Sequence, residues 1–127
     1  MIPSRELVFV YGTLRRGGSN HFRMDGADFV TTGRIAGRMY KISWYPGLVL
    51  DDAGDDIIGE VYAVDQEMLG NLDSFEGISA GETEDSEYRR VATTVTCPDG
   101  ETLTAWVWEW RGVFDEGQRL HHGDWLA

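Results

Sequence analysis

Apolar and polar positions along the chain follow two periods. Val8-Phe9-Val10-Tyr11 is apolar on both alternating faces, and polar, glycine-rich sequence follows from Gly12 through Asn20. Such a run fits a short strand buried on two sides or a buried helical segment; Val and Phe favour the strand. His21 to Asp28 fits a short helix. Phe29 to Ile42 reads as two short strands, or as one strand bent by a bulge, with Gly33 and Gly37 as the interruptions. Leu48 to Leu50 and Ile57 to Val64 read as further strands around an acidic turn, Asp51 to Asp56.

The period changes at Asp65. Met68, Leu69, Leu72 and Phe75 fall on one helical stripe. Asp65 suits the cap, Glu67 suits the positive first turn, and Gly77 suits a left-handed stop. After an acidic loop, Ile78 to Glu87, the period returns to two. Val91, Thr93 and Val95 alternate with polar neighbours in a strand predicted over Arg89 to Cys97. Pro98-Asp99-Gly100 then turns the chain into Thr102 to Trp110, with Trp106, Trp108 and Trp110 on one face. That stripe suits a core or a dimer contact better than a ligand platform. Arg111 to Ala127 is irregular, with Trp125 expected to pack down. With no internal repeat and no linker, residues 1–127 read as a single domain, strand-rich with one clear helix.

Charge and cysteine usage narrow the partners. Twenty-two acidic residues against eleven basic ones give a net charge of -11, which argues against nucleic acid and anionic membranes. No amino-terminal signal pattern and no apolar run of about 20 residues is present. Cys97 is the single cysteine; it fits a reducing, cytoplasmic setting and has no intramolecular partner. The expectation is a monomer or weak homodimer acting on a small molecule. No metal or other cofactor is expected: His21, His121 and His122 lack zinc spacing, and the glycines form neither a P-loop nor a Rossmann pattern.

Two stretches could carry chemistry. Gly12 closes an apolar strand, where glycine permits a sharp turn or close approach of a ligand to the main chain. The amides of Thr13, Leu14 and Arg15 could then converge on an anion; a plain turn is the alternative. Glu76 follows Leu72 by four residues and so projects toward an apolar helix face, at the negative end of the helix. Burial and the dipole would both raise its pKa and make it a better base. The alternative is a helix-end glutamate paired with Arg89 or Arg90. Arg15, Arg89 and Arg90 are candidates for holding a carboxylate, although adjacent Arg89 and Arg90 face opposite ways on a strand. Tyr11 and Tyr88 either shape a pocket or pack in the core. Asp73 is expected to face solvent.

An ordered set of short motifs resembles the γ-glutamylcyclotransferase-like family, which includes AIG2-like proteins and γ-glutamylamine cyclotransferases. The set comprises Tyr11-Gly12-Thr13-Leu14-Arg15, Tyr45-Pro46-Gly47, Gly59-Glu60-Val61-Tyr62, Leu72-Asp73-Ser74-Phe75-Glu76-Gly77, Tyr88-Arg89-Arg90-Val91 and Gly123-Asp124-Trp125. The resemblance implies an α+β fold built on a small mixed β-barrel with flanking short helices. It implies release of 5-oxoproline and free amine from γ-glutamylamines or γ-glutamyl peptides. It also implies Glu76 as general acid and base, with Tyr11, Gly12, Thr13, Leu14, Arg15 and Tyr88 binding substrate. A γ-glutamyl amide hydrolase and a non-catalytic binding protein of the same fold remain the rival readings.

Overall fold

The structure is a computed structural model, described here for residues 5–75 and 88–126. Its strands are β1 (Glu6–Val10), β2 (Asp28–Lys41), β3 (Pro46–Leu50), β4 (Asp55–Val64), β5 (Tyr88–Thr96) and β6 (Thr102–Trp110). One α-helix, α1 (Gln66–Phe75), follows β4, and a 3-10 turn, His21–Met24, precedes β2. The strands pair in the order β3-β2-β4-β1-β6-β5, and β5 returns to β2 through Arg34 opposite Thr96. That contact closes β2, β4, β1, β6 and β5 into a five-stranded barrel, with β3 flanking β2. The β1–β6 pairing is parallel and the others are antiparallel, so the barrel is mixed, as the family resemblance implies.

β1 lies at the centre of this arrangement because it is apolar on both faces. Val8 and Val10 belong to one buried cluster, with Leu14, Leu69, Leu72, Tyr88, Trp108 and Trp110. Phe9 and Tyr11 belong to the other, with Ile35, Met39, Leu48, Ile57, Val61 and Val107. The first cluster packs the barrel wall against α1; the second fills the barrel. The tryptophan stripe of β6 is core, as its period suggests: Trp108 and Trp110 are buried and Trp106 packs beside them.

β2 is one long strand, and its irregularity falls between Phe29 and Thr31 rather than at a glycine. Gly33 and Gly59 face each other across β2 and β4. A Cβ on Gly59 would meet the Phe9 ring at 2.6 Å and one on Gly33 would meet Val95 Cγ1 at 2.5 Å, so each glycine leaves room for a core side chain in the barrel. Proline and glycine make the β5–β6 turn as expected: Gly100 takes a φ of 89° and donates to the Cys97 carbonyl at 2.9 Å.

α1 begins where its cap predicts, with the Met68 amide donating to Asp65 Oδ1 at 2.8 Å. Leu69 and Leu72 are buried, while Met68 and Phe75 pack at the margin of the same cluster. The expected stop at Gly77 and the acidic loop lie outside the described residues. The irregular tail wraps the barrel: Ile58 donates to the Gly123 carbonyl at 2.9 Å, and Trp125 packs on the barrel cluster. Among the described residues no helix is long and apolar enough to cross a membrane.

Gly59→Ala should destabilise the fold by about 1–3 kcal/mol through overpacking against Phe9. Urea unfolding should show a lower midpoint at an unchanged slope; an unchanged midpoint would show that the barrel does not need this clearance.

Candidate functional site

The segment after β1 forms a compact turn. The Arg15 amide donates to the Gly12 carbonyl at 3.1 Å, and the Asn20 amide donates to the Thr13 carbonyl at 2.9 Å. Gly12 has no unusual φ; it is small because Pro46 lies against it, and a Cβ there would meet Pro46 Cγ at 2.6 Å. The expectation of three converging amides needs correction. The Arg15 amide is spent within the turn, whereas those of Thr13 and Leu14 bond to no other described residue. Both residues are buried. Buried main-chain donors are seldom left unpaired, so two such donors on one turn mark a place for an anion, a carbonyl oxygen or water.

The turn is held by a buried charge network. Arg15 donates to Glu60 Oε2 and to Asp124 Oδ1, each at 2.6 Å, and the Arg16 amide donates to Glu60 Oε1 at 2.8 Å. Tyr62 adds its hydroxyl to Glu60 at 3.3 Å. Burial alone would lower the Arg15 pKa, but its bonds to Glu60 and Asp124 outweigh that and raise it. Burial pushes the Tyr62 hydroxyl up, helped by the Glu60 charge. Arg15 therefore uses its Nε and Nη1 donors on two carboxylates. Arg89 and Arg90 are likewise committed, to Glu109 at 2.8 Å and Asp73 at 3.0 Å.

Other predicted residues sort into packing and placement. The Tyr11 hydroxyl donates to the Trp108 carbonyl at 2.7 Å, and the buried Tyr88 hydroxyl donates to the Pro46 carbonyl at 2.8 Å. Tyr88 also packs edge-on to Trp110, with ring centroids 5.1 Å apart. Pro46 thus touches both Gly12 and Tyr88 and brings two of the predicted segments together. Asp73 does not face solvent: it accepts from Trp108 Nε1 at 2.9 Å and pairs with Arg90. These bonds clamp the last turn of α1 to β5 and β6. Glu76 follows that turn and lies outside the described residues.

Sequence reading did not single out the charge of Glu60. The available signal was a glutamate within an otherwise apolar strand, where it needs a buried cation. A groove of about 470 Å³ opens elsewhere, lined by Arg34, Ala36, Leu50, Asp56, Thr93 and Thr96. It lies toward the far ends of β3 and β5 from Pro46 and Tyr88, and it includes none of the predicted site residues.

Residues 8–127 match the gamma-glutamyl cyclotransferase, AIG2-like family. The chain belongs to this family. It is 38% identical over 129 residues to a Vibrio cholerae protein carrying the gamma-glutamylcyclotransferase name, covering 95% of this chain and 96% of that one. It is 33% identical over 125 residues to the gamma-glutamylaminecyclotransferase of Rattus norvegicus, covering 89% and 72%. Among solved structures, an AIG2-like protein from Mus musculus superposes with a TM-score of 0.79 at 27% identity, covering 94% of this chain and 87% of that one. The barrel of this AIG2-like chain agrees with those relatives, and its Arg15–Glu60–Asp124 network joins three of the motifs that carried the resemblance.

The network gives a pH signature. Burial tends to raise the Asp124 pKa, but the Arg15 hydrogen bond and charge hold it below the ordinary 3.8. On acidification the unfolded chain takes up this proton first, so the stabilisation is present above about 3.8 and is lost as pH falls through the lowered folded value. Asp124→Asn should therefore be less stable than the parent at neutral pH. The gap should close in acid as the parent's own carboxylate protonates. Denaturant unfolding across pH tests this; a gap that stays constant into strong acid would remove Asp124 from the network.

Proposed function

We propose that the chain is a γ-glutamyl cyclotransferase that converts γ-glutamylamines or γ-glutamyl peptides into 5-oxoproline and free amine. The family match supports the reaction class. The observation that carries the site assignment is the pair of unspent amides, Thr13 and Leu14, on a turn whose Thr13 carbonyl and hydroxyl and Arg15 and Arg16 amides are engaged. In this reading the γ-glutamyl group sits against residues 11–15, beside Tyr88, and Arg15 serves by holding the turn.

The chemistry needs little more. The substrate carries its own nucleophile, so the entropy of bringing the reactants together is largely met before the reaction starts. Glu76 takes a proton from the α-ammonium. The freed amine attacks the γ-carbonyl carbon and closes a five-membered ring. The negative charge that develops on the carbonyl oxygen is held by the Thr13 and Leu14 amides. As the bond from carbon to the leaving nitrogen breaks, protonated Glu76 returns its proton to that nitrogen, and the ring nitrogen gives up its second proton to the released amine, which departs as an ammonium. The last turn of α1, clamped through Asp73, supports Glu76 in this role. The lone Cys97 supports a cytoplasmic setting, and we expect a monomer or weak homodimer.

A γ-glutamylamine should yield 5-oxoproline and free amine in equal amounts by mass spectrometry. Acetylating the substrate's α-amine should abolish turnover. Glu76→Gln should lower kcat by roughly 100- to 10,000-fold while leaving the melting temperature close to the parent's. Cleavage of the acetylated substrate would make the protein a hydrolase, and full activity in Glu76→Gln would remove Glu76 as the base.

A further inference from the structure

Arg23, like Arg16 over the Phe29 ring, lies near the turn without a carboxylate partner among the described residues, and Arg23 is the one that contacts the end of α1. Arg5, Arg15, Arg38, Arg89, Arg90 and Arg119 each have a carboxylate within 3.2 Å. Arg23 has none among the described residues, yet it is held in place. Its Nε donates to Asn20 Oδ1 at 3.3 Å. Its guanidinium lies over the Phe75 ring, 4.2 Å from the centroid, and 5.0 Å from that of Phe22. Its Nη1 and Nη2 donors have no partner among the described residues.

The place where it is held matters. The Asn20 amide group, itself buried, donates from Nδ2 to Thr13 Oγ1 at 3.1 Å. Asn20 thus couples Thr13, which carries one of the two unspent amides, to Arg23. Phe75, on the other side of the guanidinium, is the residue before Glu76. Arg23 therefore spans from the unspent amides to the end of α1. Thr13 and Leu14 are buried whereas Arg23 is exposed, so it sits outward of them.

Resting on the cyclotransferase reading, we infer that Arg23 recognises a carboxylate on the leaving amine, which makes γ-glutamyl conjugates of amino acids or peptides the preferred substrates over conjugates of uncharged amines. The γ-glutamyl half is common to all substrates and occupies the buried amides; the released half faces outward, where Arg23 waits. A guanidinium stacked on an aromatic ring keeps its in-plane donors available for a carboxylate. The need for a cation is acute here, because a body of net charge -11 repels an anionic leaving group.

The test compares γ-glutamyl-alanine with its C-terminal carboxamide, which has nearly the same shape and lacks the charge. In the parent protein kcat/KM should favour the acid by roughly tenfold or more, the scale of a hydrogen bond to a charged group. Most of the difference should appear in KM. In Arg23→Gln the ratio should fall toward one, and Arg23→Lys should restore part of it. An equal preference in the parent, or a ratio unaltered by Arg23→Gln, would overturn the inference while leaving cyclotransfer standing. Release of no 5-oxoproline by the parent from either compound would overturn the cyclotransferase reading and this inference with it.

Discussion

Arg15 bridging Glu60 and Asp124 is the interaction on which the site depends. It joins the turn after β1, a β4 side chain and the chain's last residues, three segments distant in sequence. Taking these charges out of water is costly, and a buried ion pair is poor evidence of net stabilisation. Its value here is placement. Glu60 receives both the Arg15 side chain and the Arg16 amide, and Asn20 engages the carbonyl and hydroxyl of Thr13. With those groups engaged, the turn keeps a fixed shape while two of its amides remain unspent.

The second constraint is the clamp on α1. A ten-residue helix has little stability of its own and depends on packing. Leu69 and Leu72 provide that packing against the outer face of β1. Asp73 then ties the last turn to Trp108 and Arg90, and Arg23 lies over Phe75. The helix end is thereby tied to the same wall of the barrel that carries the turn after β1, with Pro46 bridging Gly12 and Tyr88 alongside.

What could be read from the sequence was local. A strand apolar on both faces, a helical stripe with its cap and a proline–glycine turn all depend on neighbours within a few residues, and each stands in the fold. The bulge in β2 was legible as a possibility but not as a place: Gly33 serves the clearance around Val95, and the irregularity falls beside Phe29. Gly12 was read as permitting a sharp turn or a ligand's approach; the group packed against it is Pro46. Arg15 was read only as one of three candidates for holding a carboxylate and Asp73 as solvated, because their partners lie 45 and 35 residues away, at Glu60 and Trp108. Periodicity carries no information on such pairs. The barrel's closure came through the family resemblance alone, since a single bridge between Arg34 and Thr96 leaves no local pattern.

The most direct test of the account is whether ligand meets the unspent amides. Amide nitrogen–proton spectra should be recorded during titration with 5-oxoproline, the product of the proposed reaction. The account predicts that the Thr13 and Leu14 resonances shift strongly and saturably, while those around Arg34 and Thr96 stay in place. Shifts confined to the groove around Arg34, with Thr13 and Leu14 unmoved, would contradict it.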